Sequence, residues 1–191
     1  MAQYGFYSDS SICSGCKACQ VACKDKNNQV FGINYRKPYH VETGGFKVGS
    51  KGTVTHNAVV YSLSIACNHC SKPACTEVCP TGAMQKDKAT GIVNNDKTKC
   101  IGCGNCASAC PYNAPTINEE LGKSYKCDFC ADLVEKGEQP ACVAACPLVA
   151  LDCGEIADLR RKYGKVADVH GLASSKETAP NLVLKLHKGA K

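Results

Sequence analysis

Sixteen of the 17 cysteines fall into four groups of four: Cys13, Cys16, Cys19, Cys23; Cys67, Cys70, Cys75, Cys79; Cys100, Cys103, Cys106, Cys110; and Cys127, Cys130, Cys142, Cys146. The first and third groups read C-x2-C-x2-C-x3-C, the spacing of a bacterial ferredoxin, and the second is the same run with two residues inserted. The fourth stretches its middle gap to eleven residues but keeps x2 before it and x3 after it. Three thiolates this closely spaced can wrap one side of an iron–sulfur cubane. The fourth, three residues on, points away and reaches a second cluster in two-cluster ferredoxins. Groups two, three and four end in Cys-Pro, at Pro80, Pro111 and Pro147, whereas Cys23 is followed by Lys24. A proline there has no N–H and a fixed φ, so it turns the chain out of a short helical turn.

Two other uses of cysteine are weaker readings. Adjacent C-x-x-C pairs are poor disulfide partners for one another, and Met1 to Ser10 lack the basic start and apolar run of a secretory signal. Cys127, Cys130, Cys142 and Cys146 taken alone could make a four-thiolate zinc site. Zinc does not account for two uninterrupted ferredoxin runs and repeated Cys-Pro ends. Cys153 is left over and reads as a small buried apolar residue.

The exchange of fourth cysteines predicts four [4Fe–4S] clusters. Cluster 1 takes Cys13, Cys16, Cys19 and Cys146; cluster 2 takes Cys23, Cys127, Cys130 and Cys142. Cluster 3 takes Cys67, Cys70, Cys75 and Cys110; cluster 4 takes Cys79, Cys100, Cys103 and Cys106. The expected fold is α+β: two nested bacterial-ferredoxin-like two-cluster modules with short hairpins, short helices, irregular loops and an extended C-terminal tail. Residues 58–111 would form the inner module, and 1–25 with 112–154 the split outer one. Residues 26–57 would be an inserted excursion of strand and loop, and 155–191 a short helix and a partner-contacting tail.

The elements that must hold these thiols are short. Strand signals precede three groups, at Gln3 to Ser8, Val59 to Ile65 and Gly91 to Val93. Glu155 to Tyr163 reads as one helix stopped by Gly164. The apolar run in Ala179 to Leu186 reads as a strand or an extended tail laid on another surface rather than a core element.

The net charge of +6 does not require an acidic partner. Four clusters with their thiolates contribute about −8 together, bringing the sum to roughly −2. Lys17, Lys24, Lys26, Lys97 and Lys99, near the first and third groups, read as solvated. No stretch is long and apolar enough to span a bilayer. No G-x-G-x-x-G or Walker A run is present, the five histidines are scattered, and His69, inside a cluster loop, reads as a residue that bonds or tunes its cluster. Redox centres without a reaction centre make a conductor between other proteins, and no catalytic residue is expected.

Gln3-Tyr4-Gly5-Phe6, the Cys13 to Cys19 loop, Ser64 to Cys70, Pro73-Ala74-Cys75-Thr76, Cys79 to Met84, Cys100 to Cys103, Ala109 to Pro115 and Lys126 to Cys130 carry a resemblance over nearly the whole chain. The sequence resembles the four-cluster iron–sulfur subunits of molybdopterin oxidoreductases, particularly that of anaerobic dimethyl sulfoxide reductase. The resemblance implies a molybdopterin catalytic subunit as partner and a membrane anchor with a menaquinol site. Cluster 1 would face the catalytic subunit and cluster 4 the quinol side. It further implies location at a membrane through partners, on the outer face after co-export with a partner bearing a twin-Arg signal, or else on the cytoplasmic face. In related nitrate reductases the position matching Cys103 is Trp and the cluster is [3Fe–4S]; Cys103 implies four irons. Cluster subunits of hydrogenase or formate–hydrogen lyase complexes are a second class with similar motifs.

Overall fold

A computed structural model describes residues 2–190; Met1 and Lys191, which bound the opening and closing segments read above, lie outside the described residues. In chain order, β1 (Tyr4–Asp9) leads into the first cysteine group, whose last two members lie on α1 (Ala18–Lys26). Next come β2 (Lys37–Thr43), the hairpin β3 (Phe46–Val48) and β4 (Val54–His56), and β5 (Val59–Ile65). The central groups alternate one-turn helices with small hairpins: α2 (Ala74–Glu77), β6 (Met84–Lys86) and β7 (Val93–Asn95), α3 (Asn105–Ser108), β8 (Thr116–Asn118) and β9 (Lys123–Tyr125). The rest comprises α4 (Ala131–Val134), α5 (Ala141–Ala144), β10 (Leu151–Glu155), α6 (Ile156–Tyr163), α7 (Ser175–Thr178) and β11 (Leu182–Lys185). This mixture of short strands and short helices is the expected fold class. No helix among the described residues is long and apolar enough to cross a membrane.

The largest sheet joins distant parts of the chain. β1 lies at its centre, antiparallel to β10 and parallel to β11, with Phe6 opposite both Cys153 and Leu182. Side chains alternate across it with the period of two that strand geometry imposes. Tyr4, Phe6, Leu151, Leu182 and Leu184 face the main core, while Tyr7 and Val183 face the other way and are covered by Ile156 and Leu159 of α6. Tyr163 at the end of α6 stacks on Tyr7 with ring centres 3.7 Å apart. Gly164 then stops the helix, with φ of +96°.

Three expectations need correction. The 179–186 run does hold a strand, one of its two readings, but as a core element: β11 pairs with β1 and Val183 is wholly buried, so its apolar side chains complete this chain's own core. The 26–57 excursion is more regular than loop composition suggests. Its strand β2 pairs with β5 along all seven residues, from Lys37 opposite Ile65 to Thr43 opposite Val59. The third strand begins at Val93 rather than Gly91, because Gly91 has φ of +71° and closes a turn on the Asp87 carbonyl.

Among helix contacts, α1 packs on α5 and α2 on α3. The helix of the first cysteine group thus meets that of the fourth, and the second meets the third.

Candidate metal centres

All four cysteine groups are built on one local plan. The third cysteine of each is the second residue of a short helix: Cys19 in α1, Cys75 in α2, Cys106 in α3 and Cys142 in α5. Where the middle gap is two residues, the helix starts from a left-handed residue, Lys17 (φ 65°) or Gly104 (φ 82°). Where the gap is longer, it starts from an extended proline, Pro73 or Pro140. α2, α3 and α5 stop after four residues, just short of Cys79-Pro80, Cys110-Pro111 and Cys146-Pro147. Group one has no proline there, and α1 runs on to Lys26. The residue just before each second cysteine is left-handed: Gly15 (φ 69°), His69 (φ 41°), Gly102 (φ 69°) and Phe129 (φ 65°). Such a turn is free for glycine and costs another residue about 1–2 kcal/mol. At Gly102 a side chain is also excluded by space, since a Cβ would collide with the Gly122 carbonyl oxygen.

His69 and Phe129 adopt this turn because packing over-determines them. Both are fully buried and meet edge-to-face at 5.3 Å between ring centres. Phe6, on the central strand, lies 4.3 Å from Phe129 and 6.5 Å from His69, so the sheet and the two cysteine loops pack through one aromatic cluster. His69 Nδ1 accepts the Val93 N–H at 3.0 Å. Burial, reinforced by Lys126, Lys86 and Arg36, holds the ring's pKa well below its usual value, and it stays neutral.

The loops bring twelve of the thiols together in fours. One cavity is lined by Cys13, Cys16, Cys19 and Cys146, a second by Cys67, Cys70, Cys75 and Cys110, and a third by Cys79, Cys100, Cys103 and Cys106. The three are similar in size, about 340, 370 and 310 Å³ with the solvent at their mouths included. The remaining four, Cys23, Cys127, Cys130 and Cys142, are all buried, and Cys142 lies near enough to the other three to add to the rise in their pKa values that burial causes. Burial pushes Cys127 far above the usual thiol range, with Cys67, Cys23 and Cys142 adding to it, and it pushes Cys23 up to about 11 with help from Cys142. Cys146 thus lies with group one's thiols rather than with Cys127, Cys130 and Cys142, unlike a zinc site formed by the fourth group alone. Among the described residues, no three His, Cys, Asp or Glu side chains converge tightly enough to grip a single metal ion. No cysteine is disulfide-bonded. Rings of four thiols around such cavities suit a cluster of several irons.

Donors are already aimed at the sulfurs. Backbone N–H groups of Met84, Ser124, Phe129 and Ala150 point at Cys79 (3.4 Å), Cys100 (3.4 Å), Cys127 (3.4 Å) and Cys146 (3.2 Å). The Thr178 hydroxyl donates to Cys70 at 3.2 Å, and the Gln29 amide to Cys23 at 3.5 Å. Such bonds favour the charged thiolate and, in a cluster, raise its potential. At Cys79 and Cys100 they outweigh burial, the largest single influence, and hold the thiols below the usual range. Cys70 and Cys75 are pushed up by burial instead, to about 11 and about 12.

Cys16 and Cys103 are the two exposed cysteines, one in each of two different sets. An exposed apolar side chain shares the cavity with each, Leu148 with the first and Ile101 with the second. Cys153, on β10, packs against the core and is pushed up to about 12 by burial, as befits a structural thiol. The solvated reading fails for Lys97, which is half-buried over the Tyr125 ring at 3.8 Å and donates to the Ser124 carbonyl. It fails too for Lys24, whose Nζ donates to the Val30 (2.7 Å) and Ile33 (3.2 Å) carbonyls.

This fold and these thiol sets define an iron–sulfur protein of ferredoxin type. Residues 58–156 match the 4Fe-4S dicluster domain, and residues 10–31 match a 4Fe-4S binding domain. The iron–sulfur subunit of anaerobic dimethyl sulfoxide reductase from Haemophilus influenzae is 47% identical over 191 residues, covering all of this chain and 93% of that protein. Its Escherichia coli counterpart is 48% identical over 183 residues, covering 96% of this chain and 88% of that one. The thiosulfate reductase electron transfer subunit PhsB of Salmonella typhi is 37% identical over 171 residues, covering 85% and 82%. The chain belongs to the family of iron–sulfur subunits of anaerobic dimethyl sulfoxide reductase, which transfer electrons and are not catalytic.

Proposed function

We propose that this chain carries single electrons through four [4Fe–4S] clusters, held by the four thiol sets described above, to or from a molybdopterin catalytic subunit of an anaerobic respiratory oxidoreductase. Bound clusters supply one-electron centres; the chain's own part is to space them, shield them and set their potentials. The observation that carries this reading is the gathering of twelve cysteines around three cavities, with Cys23 close to Cys142 and Cys130, in sets that cross between groups one and four and between groups two and three. Such crossing is how ferredoxin modules share cysteines. It supports two modules, the inner within residues 58–111 and the outer split between 1–25 and 112–154, as do the α1–α5 and α2–α3 contacts.

Contacts between sets suggest their order. Burial raises the pKa of Cys19 in the first set, and Cys142 of the second adds to it. Burial likewise raises Cys127 in the second, and Cys67 of the third adds to that. Cys75 of the third packs with Cys106 of the fourth. The sets at the two ends hold the exposed Cys16 and Cys103 with their apolar rims, which suits docking of a different partner at each end. We assign the catalytic subunit to the Cys16 end and a membrane anchor with a menaquinol site to the Cys103 end. The filled chain would reach the outer face of the membrane folded and bound to a partner with a twin-Arg signal, because bound clusters cannot thread a channel for unfolded chains.

Purification of the chain with its partners tests the reading. We expect about four irons and four sulfides for each of four clusters, molybdenum or tungsten in the large subunit, and electron paramagnetic resonance signals from several interacting reduced clusters. Nickel in the partner, or half that iron, would overturn it.

A further inference from the structure

Two buried cations lie among the thiol sets without a carboxylate to balance them. Arg36, just before β2, is 1% exposed. Its Nη1 donates to the Ser64 carbonyl at 3.2 Å and Oγ at 3.4 Å, and its guanidinium lies 4.5 Å from the centre of the Phe6 ring. Nε and Nη2 find no oxygen acceptor, and the guanidinium leans toward the Cys142 thiol instead. Guanidinium stays protonated in proteins, and an unpaired buried charge costs several kcal/mol. No Asp or Glu among the described residues pairs with it. It faces thiols of two sets instead. Burial disfavours its charge, but Cys142 and Cys127 of the second set and Cys19 of the first outweigh that and hold its pKa above the ordinary value. Ser64, which accepts the Arg36 bond, also contacts Cys19 Sγ at 3.3 Å, so the guanidinium is tied to the first set through one hydroxyl.

Lys126 repeats the arrangement one set further on. It is 5% exposed, lines the cavity of Cys67, Cys70, Cys75 and Cys110, and donates to the carbonyls of Cys127 (2.8 Å) and Val93. It too has no carboxylate partner among the described residues.

We propose that Arg36 is the fixed internal counter-cation shared by the first and second cysteine sets, raising the reduction potential of both clusters, and that Lys126 does the same for the third. The proposal rests on the cluster reading above. Each cluster takes up one electron from its neighbour or from an added reductant, and no bond forms or breaks. The guanidinium is already charged, so it neither gives nor takes a proton. Reduction adds a negative charge, and a fixed positive charge in a water-poor interior favours the reduced form over the oxidised one. The orphaned guanidinium nitrogens then have their balancing charge in the clusters. Arg36 is a positioning residue for charge and holds no iron.

The test is a potentiometric titration of the purified complex, followed by electron paramagnetic resonance, in Arg36→Met, Arg36→Lys and Lys126→Met variants. In Arg36→Met two clusters are expected to become harder to reduce by at least tenfold in the reduced-to-oxidised ratio, which for one electron is about 59 mV. Arg36→Lys restores the charge and should recover most of that shift. Lys126→Met should move the potential of one other cluster. Loss of two clusters' iron from Arg36→Met, with full iron in Arg36→Lys, would also support the proposal, since the two side chains are of similar length and Lys keeps the charge. Unchanged potentials in a fully loaded Arg36→Met, or equal shifts or equal iron loss in the Met and Lys variants, would overturn it. Iron and sulfide content of the unsubstituted complex tests the cluster reading by itself, so failure of either is distinguishable.

Discussion

At the scale of single residues, Cys103 carries the sharpest expectation. It is exposed, lies in the set with Cys79, Cys100 and Cys106, and is flanked by exposed Ile101. Cys103→Ser should leave three thiolates there and convert one centre to [3Fe–4S], visible by electron paramagnetic resonance in the oxidised protein. A three-iron centre of higher potential would hold electrons back. Quinol-driven turnover should fall while activity with a dye that feeds the catalytic subunit persists; full iron and an unaltered spectrum would remove Cys103 from the ligands. The cysteine spacing was plain in the sequence, but much of what surrounds the thiols was not. A glycine before the second cysteine signals the left-handed turn at Gly15 and Gly102, whereas His69 and Phe129 adopt it against their own preference. Only the mutual packing of Phe6, Phe129 and His69 explains that, and it joins residues sixty or more positions apart. Arg36 was likewise invisible, because an arginine in isolation reads as surface.

Elements follow from local signals as far as those signals reach. β5 was legible to the residue, and α6 within one, because apolar runs and the Gly164 stop act over a few positions. β2 was not, since its exposed residues Glu42 and Thr43 look like loop until β5 lies beside them. β11 misled in the same way: an apolar run of four residues looks like something left for a partner until β1 is seen to need an edge. Leu184 is a buried member of the main core. Leu184→Ala should lose about 2–5 kcal/mol, read as a lower urea concentration for bleaching of the visible cluster absorbance. Unchanged bleaching would mean that β11 contributes little to holding the thiol loops.

For the whole molecule, thiol burial sets how the clusters respond to acid. Cys23, Cys70 and Cys75, ordinarily at 9.0, are pushed up to about 11, about 11 and about 12. Without iron these groups keep their protons throughout the neutral range, so iron must displace protons to bind. Lower pH therefore favours the empty chain. Iron removal by a chelator should accelerate as pH falls from about 9 toward 6, with protons taken up in step, which a weakly buffered assay can count. The set containing Cys79 and Cys100, whose thiols lie below the usual range, should respond least. A chelation rate independent of pH would mean that the thiols are not the groups that open.

The sheet centred on β1 also has a calendar. The Ser10 hydroxyl donates to the Lys185 carbonyl across 175 residues, and Cys13, Cys16 and Cys19 wait for Cys146. A ribosome has translated Cys67 through Cys110 well before it reaches either partner of the opening segment. Newborn chains can therefore close the two central sets while the first strand is still waiting. A message cut short after Pro147 would yield a protein with every cysteine of its four sets and an unfinished sheet, with Tyr7 stripped of Ile156, Leu159, Tyr163 and Val183 that cover it.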